Sequence, residues 1–218
     1  MDIDLLLDHF QVSGRLPHVR GLDAGLPADV QDVVGALGGM SFDDGLYRCF
    51  APESIGAMTT LATETFPEHA QRLVCVGADW LGRMFAADEA RRDSAGQRMV
   101  LMLEPGTGQA LEIPMTVTSF HERGLVVDAE PALARSFYRA WREASGDATP
   151  LQEEECIGYR LPLFLGGADE VGNLERTDLP TYWALCGQMR QQTQDVPPGT
   201  PIEKVTSASN KRRLFRRG

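Results

Sequence analysis

The sequence predicts an α+β fold in which a central, mainly antiparallel sheet has helices packed around it. Three observations carry this expectation. The middle of the chain holds short apolar runs in place of helical stripes, at 72–76, 81–86, 100–103 (VLML) and 110–113 (ALEI). The last two runs flank EPGTGQ, a Pro- and Gly-bearing loop that reads as the turn of a β-hairpin. Helical periodicity dominates on either side, so the two patterns are segregated and do not alternate as a βαβ repeat requires.

Each element has its own warrant. Ile3, Leu6, Leu7 and Phe10 share one face of a short helix. Pro27 opens a second helix with Val30, Val33, Val34 and Leu37 on its face, closed by Gly38-Gly39. Asp44-Gly45 marks a turn before a strand candidate ending at Phe50. Pro52 then suits a first helical turn, and Ile55, Met58, Leu61 and Ala62 give that helix its buried face. Residues 90–97 (ARRDSAGQ) read as an exposed loop. Pro131 starts a helix with Leu133, Phe137, Tyr138 and Trp141 on one face, ending near Ser145-Gly146. Residues 156–165 read as one or two strands interrupted at Pro162, with Gly166-Gly167 as the stop. Asp178 is placed to cap a last helix whose apolar face is Tyr182, Leu185, Cys186 and Met189. The VPPGTP stretch cannot continue that helix, and the chain from Glu203 onward reads as a loose tail.

Charge says more about partners than about fold. The net charge of −10 combines a basic ending, KRRLFRRG, with a body (residues 1–210) of 16 bases against 31 acids. Such a body repels nucleic acid and attracts a basic protein. Five charges on a short end allow at most a weak nucleic-acid contact from the tail. No apolar run approaches the roughly 20 residues of a bilayer span, and acids stand at the N-terminus where a secretory signal carries positive charge. Cys49, Cys75, Cys156 and Cys186 are scattered through apolar contexts with no CxxC pair, as expected of buried reduced thiols. A cytoplasmic protein without a membrane contact is the expectation.

No catalytic constellation stands out. EPGTG lacks the Gly-Lys-Ser/Thr ending and following helix of a phosphate loop. His121-Glu122 begins an HExxH word, but Leu125 stands where its second histidine belongs, and His9, His18, His69 and His121 have no metal-ligand spacing. There is no GxSxG nucleophile elbow. The expectation is therefore no catalysis, no cofactor and no metal. Trp141 reads as core, whereas Trp80 and Trp183 lie beside the apolar pattern and are expected to be partly exposed, as interface anchors would be.

Several longer words carry a family resemblance. They are GLYR at 45–48, DWLGRMFAAD at 79–88, VLMLEPGTGQALEIP at 100–114 and SFHERGL at 119–125. In the C-terminal half they are CIGYRLPLFLGGADEVGNLE at 156–175, YWALCGQMR at 182–190 and PPGTPI at 197–202. The chain resembles bacterial type VI secretion immunity proteins that protect against a DNase toxin, in which a GAD-like domain precedes an immunity C-terminal domain. Its first half is also similar to the wider SUKH immunity superfamily, through the Asp-x-x-Gly strand turn and the Thr-Gly hairpin. The resemblance implies a GAD-like region at 1–125, an immunity region at 126–202 packed on it, and a flexible basic tail at 203–218. It implies an antitoxin whose partner is a cognate toxin, a basic nuclease. The other reading is an interaction adaptor unrelated to toxins. The residues expected to meet the partner are Glu153, Glu154, Glu155, Asp169, Glu170 and Asp178, acids that crowd the most specific words in loops and at a helix start.

Overall fold

A computed structural model describes residues 1–16 and 25–193. The expected basic tail, the PPGTPI word and His18 lie outside these residues. The architecture is α+β, as the sequence predicts. Seven strands form an antiparallel sheet in chain order: β1 (Val12–Arg15), β2 (Met40–Phe42), β3 (Tyr47–Cys49), β4 (Leu73–Asp79), β5 (Met84–Arg92), β6 (Arg98–Glu104) and β7 (Gln109–Thr116). A separate hairpin pairs β8 (Glu155–Tyr159) with β9 (Leu174–Asp178). The helices are α1 (Asp4–His9), α2 (Ala28–Leu37), α3 (Pro52–Thr65), α4 (Val117–Ser119), α5 (Leu125–Val127), α6 (Ala129–Leu133), α7 (Arg135–Ser145) and α8 (Leu179–Thr193). No helix among the described residues is long and apolar enough to cross a membrane.

Local chemistry explains the sharp turns. Between β4 and β5 the Asp79 carboxylate accepts from the backbone N–H groups of Leu81 and Arg83, at 3.1 and 2.9 Å, and closes the loop. Gly82 sits in this turn at φ +79, and a Cβ there would meet Cys156 Sγ at 3.0 Å. The EPGTG hairpin turn is equally crowded, since a Cβ on Gly106 would lie 2.6 Å from the Tyr159 ring. The glycines of both turns let β8 press against the main sheet. The Gly106 carbonyl in turn accepts from the backbone N–H of Leu163, at 2.8 Å, so this loop is a packing surface.

The central strands β4, β5 and β6 are buried over most of their length, and α3 packs against both β4 and α8. Two Trp side chains bind the C-terminal region to this core. Trp80 Nε1 donates to the Leu133 carbonyl and Trp183 Nε1 to the Gly82 carbonyl, each at 2.8 Å. Both indoles are 0% exposed, which overturns the expectation of partial exposure. The reason is that each polar N–H finds a backbone acceptor distant in sequence, so nothing holds the ring at the surface.

Other differences are local. The helix expected from Pro131 to Ser145 is broken at Ala134, whose φ of +47 separates α6 from α7. Residues 156–165 hold one strand followed by a 3-10 turn at Leu163–Leu165. The strand expected at 81–86 begins at Met84, because Asp79–Gly82 is turn. The loop expected at 90–97 is shorter, because the ladder runs on to Arg92 opposite Arg98. On α8, Trp183 and Gly187 join Tyr182 and Cys186 in the core, while Leu185 is 40% exposed. Leu7 of α1 is likewise 39% exposed, leaving Leu6 and Phe10 as the buried pair.

Candidate partner-binding surface

The six acids singled out in the sequence fall at two ends of the β8–β9 hairpin. Glu155 pairs in register with Asp178, and Tyr159 with Leu174 at the other end. Four strand steps separate those ends, about 13 Å. Glu153, Glu154, Glu155 and Asp178 gather at the first end. Asp169 and Glu170 sit beyond the second, in the loop between the strands.

Four of these six carboxylates are engaged within the fold. Glu153 is half-buried, and its oxygens accept from the backbone N–H of Ala51 at 2.7 Å and from Ser54 Oγ at 3.2 Å, which caps the start of α3. Burial pushes its carboxyl up, and the neighbouring charges of Glu53 and Glu154 push the same way. Glu155 accepts from the Gln152 backbone at 2.9 Å and pairs with Arg176 at 2.8 Å. Arg176 also reaches Asp147 at 3.0 Å, so this cation relieves the like-charge pairing across the hairpin. Asp169 accepts the Tyr159 hydroxyl at 2.7 Å. Asp178 accepts from the Thr181 backbone N–H at 2.8 Å, the cap that the sequence predicts for α8.

Glu154 and Glu170 are exposed and make no ion pair or side-chain hydrogen bond within the described residues. A third exposed acid belongs with Glu154. Glu53 stands in the first turn of α3, close enough for its charge to act on Glu153, as Glu154 also does. The sequence reading missed it because Ala51 and Glu153, which bring the two segments together, are 102 positions apart. The legible signal was only that Glu53 follows a helix-opening proline. Glu53, Glu153 and Glu154 thus form one electronegative patch at the helix start, in which Glu153 is fixed and the other two reach outward.

Groups that resemble catalytic parts have their partners within the fold or are buried. His121 is 0% exposed; its Nδ1 donates to the Val117 carbonyl and its Nε2 accepts from the Tyr47 hydroxyl, both at 2.7 Å. It stands in a single π-turn, Phe120–Gly124, between α4 and α5. Both ring nitrogens of His121 are thus spent on core contacts, while Glu122 is only part-buried and accepts from the Asp2 backbone N–H at 2.7 Å. The four thiols are buried and free, and burial pushes Cys75 and Cys186 up to about 12, far from reactive thiolates.

Burial lowers His121 to about 4 from 6.5. Between those values the unfolded chain carries a proton that the folded chain refuses, so stability is complete above about pH 6.5 and declines as pH falls toward 4. The expected loss is about 3 kcal/mol across that window. Urea unfolding of wild type and His121→Phe from pH 7 to 4 checks this. The variant starts less stable, because Tyr47 loses its partner, but should lose about 3 kcal/mol less on acidification. Parallel pH profiles would show that another group governs the acid limb.

A family model and a solved structure are similar to this chain. Residues 129–190 match the family described as T6SS immunity protein Tdi1, C-terminal. The matched stretch contains β8, β9, α6, α7 and most of α8, with all six acids named in the sequence, and that stretch is similar to a type VI secretion immunity family. No curated protein matches the chain. The crystal structure of Atu4351 from Agrobacterium tumefaciens is similar in fold, with a TM-score of 0.61 and 13% identity over 86% of this chain and 89% of that one.

Proposed function

We propose that this chain is a type VI secretion immunity protein that binds a secreted toxin in the cytoplasm and blocks it without catalysis, and that the toxin is a basic nuclease. The observation that carries the reading is the match of residues 129–190, which indicates an immunity protein and so implies a cognate effector. The patch around Glu154 and Glu53 supports the finer part. A nuclease holds phosphates with basic side chains, and its cationic surface is what an acidic inhibitor meets. An acidic body steers such a partner into place and then excludes DNA by occupying the same surface.

The mode of action is stoichiometric, so the test is a dose. Co-expression with the product of the adjacent gene should restore growth to cells that the product alone arrests, and the two should co-purify one to one. Rescue accompanied by intact chromosomal DNA identifies a nuclease. Rescue from a toxin that leaves DNA and RNA intact keeps immunity and removes the nuclease. Failure to rescue, with both proteins soluble and folded, removes the immunity reading.

A further inference from the structure

At one end β4 runs past its neighbour. β3 pairs with it only at residues 77–79, so residues 73–75 have no β3 partner. Part of the gap is closed by α3, where Thr59 Oγ1 accepts the Cys75 backbone N–H at 3.0 Å. The rest stays open as a groove of about 640 Å³ between residues 52–59 of α3, Val74 and the residues that lead into α2. That volume is in the range of small-molecule sites, roughly 300–1,000 Å³, and has room for an anchoring side chain.

The lining combines carbon with one charge. Leu26, Thr59 and Val74 line it part-exposed, over the buried Pro52 and Ile55. Among the described residues Glu53 is the one charged group in this lining, and it is exposed. Glu154 stands nearby, since its charge and that of Glu53 both act on Glu153, whose carboxylate is fixed to Ala51 and Ser54. An apolar groove thus opens directly beside the acidic patch. Gly56 helps to keep it open. This residue lies inside α3, where glycine is a poor helix former. A Cβ there would meet nothing within 4 Å outside its own helical turn, so no contact within the fold requires a glycine.

We propose that this groove receives a basic segment of the partner protein, one in which an apolar side chain lies next to a lysine or arginine. The identity of that partner rests on the immunity reading. The apolar side chain loses water on entering, and Glu53 and Glu154 stand where they meet the adjacent cation. A basic group alone would be held only by exposed carboxylates, which contribute little and are screened by salt. An uncharged segment would leave the acidic rim without a counter-charge. Surface charge sets the association rate, whereas a side chain buried at the centre of a contact sets its lifetime. The groove supplies the anchor that the acidic patch by itself lacks.

Two measurements on the full chain test this. The first titrates N-acetyl-arginyl-phenylalanine amide and N-acetyl-glutamyl-phenylalanine amide to about 10 mM and follows amide NMR shifts. The arginyl peptide should shift Gly25, Gly56, Thr59 and Val74, and the glutamyl peptide should not. The second uses the adjacent gene product and reads association and dissociation rates separately. Gly56→Leu should speed dissociation by about tenfold or more with association rate and salt dependence unchanged, and it should abolish the peptide shifts. Gly35→Leu is the control, because a Cβ at this glycine within α2 also meets nothing within 4 Å. Both variants should melt no lower than wild type, since leucine is the better helix former. No shifts from the arginyl peptide, equal shifts from both peptides, or equal dissociation of Gly56→Leu and Gly35→Leu overturns the proposal. So does a change of oligomeric state in Gly56→Leu alone, which gives the groove to a second copy. A lowered melting temperature there with unchanged dissociation gives it to a segment of this chain, and overturns the proposal as well. Failure of wild type to bind the gene product removes the immunity reading, and the peptide shifts then decide the groove for or against.

Discussion

Asp79→Ala is expected to destabilise the protein by about 3–5 kcal/mol, a large share of the roughly 5–15 kcal/mol that holds an ordinary domain folded. Asp79 is 0% exposed and carries four polar contacts. Besides the two backbone N–H groups of its turn, it accepts from Arg83 Nε at 2.6 Å and pairs with Arg83 NH2 at 2.5 Å. Burial disfavours both charges, and attraction to Asp79 nonetheless lifts Arg83 above its usual value. Removing the carboxylate strands a buried guanidinium and opens the β4–β5 turn together. The damage should spread, because Arg83 also donates to the Ala132 carbonyl at 3.0 Å, inside the matched C-terminal region. Urea unfolding measures the loss. The double variant Asp79→Ala, Arg83→Met should cost less than the sum of its parts, since it removes the stranded charge. A single-variant loss below about 1 kcal/mol would mean that the pair merely fills space.

The second large effect lies at the surface. If the proposed toxin partner is basic, reversing Glu53 and Glu154 to Lys should slow association with it by about 10- to 100-fold at low salt and flatten its salt dependence. The choice follows from geometry. Both side chains are exposed and unpaired among the described residues, so the fold should survive, whereas reversal at Glu153 or Glu155 would also strip the cap of α3 or the Arg176 pair. Reversing Glu170 alone, at the far end of the hairpin, separates the two acid groups. A greater effect there than at Glu53 and Glu154 moves the docking face to that end. Wild-type rates and salt slopes in both variants, checked for folding by circular dichroism, would sink the acidic-face reading altogether.

How far the sequence could be read depended on how local the cause was. The helices at Ala28–Leu37 and Pro52–Thr65 and the β6–β7 hairpin were legible, because periodicity, a leading proline and a glycine-bearing turn act within a few residues. β1 and β9 were not. VSGR and LERTD are short and polar, and only a neighbour strand supplying hydrogen-bond partners makes them strands. Ala134 reads as one more residue of an amphipathic helix, yet the chain turns there because Leu133 must present its carbonyl to Trp80.

The sequence by itself determined the α+β class, the buried thiols, the cap at Asp178 and the acidity of the body, since each follows from composition or from neighbours along the chain. Tertiary structure alone decided which charges are free to act. It engaged Glu153, Glu155 and Asp169 with backbone, Arg176 and Tyr159, left Glu154 and Glu170 outward, and brought Glu53 to the patch. It also buried Trp80 and Trp183 and set Arg48 against the backbone carbonyls of Asp79, Gln152 and Glu155. The reason is common to all of these. A side chain's type fixes what it can bond, but its partner is set by packing between segments far apart in sequence, where local pattern carries no information.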